Sequence, residues 1–132
     1  MSGAIPALHP DRWTAPFWEA ARRHELVIAR CTRCDTPRPM PPGPYCWACD
    51  AGEVTWERQP GTGEVFTYTV VRQADPAYVV AVVALDGIDG VRLQSDLVGV
   101  GPDEVRIGLP VEVVWDDRDD GTTVPRFAAR TT

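Results

Sequence analysis

The sequence contains few of the residues on which conventional hydrolases depend. Among its 132 residues there are no lysines, two histidines and two serines. Neither Ser2 nor Ser95 lies in a Gly-x-Ser-x-Gly motif, so a Ser-His-Asp arrangement is not expected. The pair Gly61-x-Gly63 resembles the start of a dinucleotide-binding motif, but Phe66 occupies the position of its third glycine. These absences favour a protein that does not carry out catalysis alone.

The sequence also lacks a segment that would direct it into a membrane. No apolar run approaches the roughly 18 residues that a membrane-spanning helix needs. Residues 1–6 have neither the basic region nor the apolar stretch of a secretory signal. We therefore expect a cytoplasmic protein with no membrane partner. The length suits one compact unit or two very small ones, and 44% apolar residues are enough for an ordinary core.

Negative charge is in excess and is unevenly distributed. The net charge is -6; residues 1–38 hold six arginines and four acids, whereas residues 39–132 hold seven arginines and fifteen acids. Nucleic-acid binding depends on clustered basic side chains that neutralise phosphates. The acidic body of the chain therefore argues against a nucleic-acid partner. The alternative, a single-strand nucleic-acid-binding OB-fold protein, requires a basic barrel surface carrying aromatic side chains.

The pattern of apolar residues predicts a mainly β fold in three segments. Residues 1–25 contain a short amphipathic helix, which Thr14 is placed to cap and which ends near His24. Residues 26–59 begin with a brief strand and continue into a proline-rich loop that holds every cysteine. Residues 60–132 open with a predicted turn at Gly61–Gly63. A two-residue alternation then predicts the five strands of an OB-fold barrel: 64–72, 78–85, 91–98, 111–115 and 122–128.

The four cysteines are the strongest functional signal. They occur as Cys31-x2-Cys34 and Cys46-x2-Cys49, and none is left over. Two such turns facing one another bring four thiolates to one point, which is the ligand set of a closed, structural zinc site. Iron in the same sulfur cage is the main competitor. A redox or disulfide pair is the weaker alternative, because the expected compartment is reducing.

Two further features suggest contacts with a ligand or a partner. Arg72 and Arg126, near the ends of predicted strands, are candidates for holding phosphates, and Phe127 is a candidate for stacking on an adenine ring. An exposed surface position is the simpler interpretation of either arginine. The predicted helix carries three aromatic side chains that must pack against the protein's own domain or against a partner: Trp13, Phe17 and Trp18.

Together these features resemble a known family. Its members are the bacterial and archaeal acyl-CoA-associated proteins that combine an N-terminal helix, a rubredoxin-like zinc ribbon and a C-terminal OB-fold, long classed as a domain of unknown function. The resemblance covers residues 16 to about 127. The segments that carry it are 16–20 (PFWEA), 29–34 (ARCTRC), 44–49 (PYCWAC), 61–71 (GTGEVFTYTVV), 78–85 (YVVAVVAL) and 108–113 (GLPVEV).

The resemblance implies an accessory role. Members of this family form complexes with thiolase-like enzymes: acetoacetyl-CoA thiolase and hydroxymethylglutaryl-CoA synthase in archaea, and lipid-transfer-protein-like aldolases of steroid side-chain degradation in actinobacteria. By this resemblance Cys31, Cys34, Cys46 and Cys49 match the metal ligands. We expect a non-catalytic, zinc-binding subunit that binds a thiolase-like partner and helps to position an acyl-CoA. Within the family, the expected reaction of the complex is retro-aldol cleavage of steroid side-chain CoA thioesters. An iron-sulfur electron carrier is a further alternative.

Overall fold

The structure, a computed structural model, describes residues 11–40 and 42–130. Its first element is helix α1, Ala15–Arg22, which has a proline in its first turn. Thr14 lies at the N-cap, but its side chain makes no capping hydrogen bond. The Oδ1 of Asp11 accepts the backbone N–H groups of Trp13 at 3.0 Å and Thr14 at 2.9 Å, which orders the turn that precedes the helix. The predicted helix is confirmed, and Thr14 occupies the predicted N-cap position without forming a side-chain cap. Within the described residues no helix has the length and apolar character needed to cross a membrane.

Three short strands form an antiparallel sheet in the order β2-β1-β3. Strand β1 is Val27–Cys31, β2 is Pro37–Arg38 and β3 is Val54–Arg58. The apolar run that predicted β1 is buried, with Ile28 fully enclosed. Strand β3 was not predicted from the sequence, because none of its side chains is fully buried and its apolar pattern is correspondingly weak.

The remaining strands form a closed five-stranded barrel. They are β4 (Thr62–Val71), β5 (Tyr78–Leu85), β6 (Arg92–Val98), β7 (Pro110–Asp117) and β8 (Thr123–Ala129). Their order is β4-β5-β6-β8-β7, and the barrel closes where β7 pairs with the first residues of β4. Strands β6 and β8 pair in parallel, and the other pairs are antiparallel. The five predicted strands are confirmed, although β4 begins inside the segment predicted as a turn.

The helix and the first sheet share one core with the barrel. Phe17 on α1 is 3% exposed and lies in the same buried cluster as Leu26, Ile28 and Phe127. Helix α1 packs against β8 and β1. The helix therefore docks on the protein's own domain, whereas Trp13, in the turn before the helix, is 37% exposed.

Candidate metal site and ligand groove

The two cysteine turns have the same backbone construction. The residue after the second cysteine of each turn takes a left-handed conformation, with φ of 66° at Asp35 and 66° at Asp50. The backbone N–H of Asp35 donates to the carbonyl oxygen of Cys31 at 3.1 Å, and that of Asp50 donates to Cys46 at 2.8 Å. Aspartate tolerates this backbone conformation better than most residues. The repeated construction gives the two turns matching shapes.

A second backbone hydrogen bond closes each turn. The N–H of Cys31 donates to the carbonyl of Thr36 at 2.9 Å, and the N–H of Cys46 donates to that of Ala51 at 2.8 Å. The Ala51 carbonyl also accepts a hydrogen bond from the guanidinium of Arg38. Because Arg38 is only 2% exposed, a buried charged donor ties the second turn to strand β2.

The turns bring all four predicted metal ligands together. The sulfur atoms of Cys31 and Cys49 are 3.5 Å apart, and those of Cys34 and Cys46 are 3.6 Å apart. All four sulfurs lie within 4.8 Å of one another. A tetrahedral zinc site with Zn–S bonds of about 2.3 Å has sulfur–sulfur separations of about 3.8 Å. The residues present therefore fit a tetrahedral thiolate site.

The acidities of the thiols explain why this cluster suits a cation. A hydrogen bond from the backbone of Cys34 lowers the pKa of the Cys31 thiol to about 6. At Cys49 the backbone of Ala51 also favours the thiolate, but burial and the neighbouring sulfurs outweigh it and raise the pKa to about 12. Negative charges at this spacing repel one another, so four thiolates coexist only around a positive ion. The four cysteines are thus positioned for metal binding.

A groove of about 420 Å³ opens between the helix, the chain that follows β2, and the barrel. The side chains that form its apolar walls are Phe17 and Trp18 on α1, Met40 after β2, Leu93 on β6, and Val124 and Pro125 on β8. The rings of the two helix residues meet edge to face, with centroids 5.0 Å apart. Aromatic and thioether walls of this kind are typical of sites for small apolar molecules.

The polar end of the groove is occupied by an ion-pair network. Arg126 donates from Nε to Asp116 at 2.9 Å and from Nη1 to Asp96 at 2.6 Å. One positive group facing two negative groups leaves one negative charge in excess. The hydroxyl of Ser95, also at this end, donates to the carbonyl of Pro125 at 2.8 Å. The arginine therefore does not present an unneutralised positive charge to a ligand.

The three residues predicted to contact a ligand lie in different environments. Arg126 lines the groove. Phe127 is 0% exposed and packs in the barrel core, so its ring is not open to a ligand in this structure. Arg72 is exposed just beyond β4 and is not among the residues that line the groove. The structure does not bring the three into one site.

The sequence analysis missed the two carboxylates that hold Arg126. Asp116 and Arg126 lie on opposite sides of the β7–β8 hairpin, where Val114 pairs with Arg126. Residues two apart on a strand share a face, so Asp116 lies diagonal to Arg126. The predicted hairpin turn was therefore enough to predict that Asp116 lies near Arg126. Asp96 comes from β6, and its proximity depends on the parallel pairing of β6 with β8.

Comparison with known proteins decides which family this arrangement represents. Residues 18–55 match the family described as "ChsH2, rubredoxin-like zinc ribbon domain", and residues 56–116 match "ChsH2, C-terminal OB-fold domain". A chain of the solved "Ltp2-ChsH2(DUF35) aldolase" matches with a TM-score of 0.80 and 38% sequence identity, covering 95% of this chain and 98% of that one. The chain belongs to the ChsH2 (DUF35) family. The resemblance inferred from the sequence is confirmed.

Relatives within and around the family differ in length. The "Probable enoyl-CoA hydratase alpha subunit" of Thermomonospora curvata is 42% identical over 130 residues, covering 92% of this chain and 38% of that protein. The "3-oxo-4,17-pregnadiene-20-carboxyl-CoA hydratase alpha subunit" of Mycobacterium tuberculosis is 33% identical, covering 83% of this chain and 36% of that protein. The chain thus spans little more than a third of these two relatives.

A third relative has the same extent as this chain. The "DUF35 domain-containing scaffold protein" of Methanocaldococcus jannaschii is 31% identical, and the match covers 89% of each protein. Proteins similar to this ChsH2 (DUF35) chain are therefore subunits of hydratase or aldolase enzymes, or a scaffold.

Proposed function

We propose that this chain is a non-catalytic subunit that binds a thiolase-like enzyme of the Ltp2 kind and helps it to hold an acyl-CoA substrate. One observation carries the proposal: the chain matches 98% of the ChsH2(DUF35) chain in an aldolase whose name pairs it with Ltp2. The scaffold name of the full-length archaeal relative points in the same direction. The bond-breaking chemistry belongs, on this proposal, to the partner.

Zn2+ is the metal that we propose for the four-cysteine site. Cys31, Cys34, Cys46 and Cys49 would hold it, which leaves no open position for a substrate or a water molecule. When bound, the ion would supply the positive charge that the thiolates require, and it would fix the two turns against each other. Elemental analysis distinguishes this proposal from the iron-sulfur electron carrier: we expect a colourless protein with about one zinc per chain.

We propose that the partner contacts the exposed aromatic side chains beside the second cysteine turn. Tyr45 is 66% exposed and Trp47 is 77% exposed, and they flank Cys46, which is 3% exposed. Large aromatic side chains that face solvent together are typical of protein interfaces. Because a bound metal would immobilise Cys46, it would also hold both aromatic side chains in place and lower the entropic cost of docking.

The substrate class is part of the same proposal. The Mycobacterium tuberculosis relative is named for a pregnadiene carboxyl-CoA, which is a steroid thioester, and the structural relative is named an aldolase. We therefore propose retro-aldol cleavage of a steroid side-chain CoA thioester as the reaction of the complex. Hydration would belong to the part of the longer relatives that this chain does not span.

The decisive experiment mixes the purified chain with an Ltp2-type subunit. We expect one complex on size-exclusion chromatography, and acyl-CoA cleavage only when both proteins are present. Cleavage by this chain alone, at a rate comparable to that of the pair, would overturn the division of roles.

A matched pair of variants tests the proposed interface. Trp47→Ser should weaken the complex by at least about tenfold, as expected for an aromatic residue at the centre of an interface. Ile107→Ser removes an apolar side chain that is 67% exposed in the turn before β7, and it should leave the affinity for the partner unchanged. Equal affinities of the two variants would place the interface elsewhere.

A further inference from the structure

The size and walls of the groove select a small, apolar occupant. Its volume of about 420 Å³ falls within the range of about 300–1,000 Å³ found for small-molecule sites. Helix α1, the chain after β2 and two barrel strands all contribute to it, so the occupant would lie at a junction between parts of the fold. Trp18 offers a ring surface that the buried Phe17 supports from behind, and Met40 offers a thioether that adapts to irregular shapes.

The charges at the polar end select against anions. Arg126 and Asp96 line the groove, and Asp116 holds Arg126 from outside it. The guanidinium is flanked by carboxylate oxygens at 2.6 Å and 2.9 Å, so its charge is more than neutralised. Bringing a phosphate or carboxylate here would place it near an excess negative charge, which costs energy at short range. A neutral group meets no such cost.

Asp96 offers a specific contact for a neutral ligand. Its side chain is 43% exposed, so its carboxylate keeps lone pairs open to the groove and to solvent while it binds Arg126. The hydroxyl of Ser95, by contrast, already donates to Pro125. The polar end is therefore better equipped to accept a hydrogen bond than to bind an anion.

We propose that the groove binds an uncharged, largely apolar small molecule whose single polar group donates a hydrogen bond to Asp96. Applied to the complex, the groove suits the acyl portion of a thioester and excludes the phosphate-bearing CoA portion; this application rests on the proposed function. The sequence prediction that Arg126 holds phosphates is replaced by the opposite role. In the ion-pair network, Arg126 orders the two carboxylates that keep anions out.

Two fluorescent probes with the same ring system test this charge selection on the full-length, metal-loaded chain. N-phenyl-1-naphthylamine is neutral and carries one N–H donor, and 8-anilino-1-naphthalenesulfonate adds a sulfonate to the same ring system. We expect the neutral probe to bind at least about tenfold more tightly, the ratio expected when one unit charge is repelled at partly solvated short range. Equal affinities, or tighter binding of the sulfonate, would overturn the proposal.

Variants locate the binding and identify its cause. Val124→Trp should fill the groove and abolish binding of the neutral probe, whereas Val98→Trp, at a half-exposed valine outside the groove, should not. Asp116→Asn removes a carboxylate that does not itself line the groove. It should reduce the difference in affinity between the neutral and the sulfonated probe. Probe binding that survives Val124→Trp would contradict the location.

The partner supplies the last control. If an Ltp2-type subunit binds the chain and expels the neutral probe from the groove, a protein surface covers the groove in the complex and the small-molecule assignment is wrong. If no complex forms but the neutral probe binds as described, the proposed function fails while the groove assignment stands.

Discussion

The imidazole ring of His24 lies flat against the indole ring of Trp115, with ring centroids 5.5 Å apart and an angle of 1° between the ring planes. His24 follows helix α1 and has a φ of 59°, whereas Trp115 lies on β7. The His24 ring also places Nε2 3.0 Å from a carboxylate oxygen of Asp117. This contact fastens the end of the helical segment to a barrel strand distant from it in sequence.

A double-mutant cycle should show that this stack stabilises the fold. Replacing His24 or Trp115 with alanine removes the same ring contact, so the two changes should not be additive. We expect a coupling free energy of about 1 kcal/mol in chemical denaturation, the size of an aromatic pair beyond its buried area. Additive effects would mean that the rings touch without stabilising each other.

The Asp117 carboxylate should contribute stability that disappears in acid. The hydrogen bond with His24, and then that from the hydroxyl of Thr123, lower the pKa of Asp117 below its usual 3.8. A lowered pKa in the folded state means that the contribution is present above about pH 4 and is lost as the pH falls through the folded value. Asp117→Asn should therefore reduce the thermal midpoint at pH 7, and its thermal midpoint should converge with that of the unmodified protein as the pH falls through the lowered pKa of Asp117. The exposed Asp119 of the same hairpin provides the control, and Asp119→Asn should leave the profile unchanged.

Metal removal should destabilise the ribbon more than the barrel. The ribbon, which we propose spans residues 26–59, has short strands, whereas the proposed barrel segment, 60–132, has a closed hydrogen-bonded sheet. Cys46→Ser should lower metal content from about one ion per chain to near zero. The backbone amide hydrogens of the ribbon should then lose their protection against hydrogen exchange, while those of β5 retain it. Full protection of the ribbon after metal loss would show that the metal is dispensable to the fold.

Asp50 offers a finer test of the turn geometry. Because its φ is 66°, a glycine there is free of strain and a β-branched residue is disfavoured. Asp50→Gly should keep metal affinity, and Asp50→Val should lower it by about tenfold, corresponding to the cost of about 1–2 kcal/mol for a left-handed residue. Competition with a chromogenic chelator measures both. Indistinguishable affinities would mean that the turn adapts without cost.

Local patterns predicted the parts of this molecule that local physics controls. The spacing Cys31-x2-Cys34 is a property of one turn, and the alternation along β5 is a property of one strand. Both predictions hold in the structure. The N-cap of α1 differs in its contacts, because the hydroxyl oxygen of Thr14 accepts the backbone N–H of Asp11 at 3.2 Å and makes no hydrogen bond to the helix.

The prediction that Arg126 and Phe127 contact one ligand did not take the alternation of side chains along a strand into account. Arg126 and Phe127 are successive residues on a predicted strand, and successive side chains on a strand point to opposite faces. The two side chains are therefore expected on opposite faces of β8. The burial of Phe127 and the groove position of Arg126 show this directly. The contact of Arg126 with Asp96 was beyond the sequence analysis, because it depends on a parallel pairing between strands that are not consecutive.

We expect a side chain at Gly63 to destabilise the barrel, because this glycine lies where the barrel closes. It pairs with Leu85 on β5 and with Val111 on β7, so three strands meet there. A Cβ at this position would overlap the carbonyl oxygen of Ala84 and lie 2.9 Å from a methyl group of Val83. Since the first obstacle is backbone, a side-chain movement does not relieve it. Gly63→Ala should lower the free energy of unfolding by about 3 kcal/mol.

In Gly52→Ala the new methyl group would meet only an ordinary contact at 3.5 Å, so this control should be nearly neutral in the same denaturation experiment. Equal stability of the two variants would mean that the barrel can open at this junction to admit a side chain.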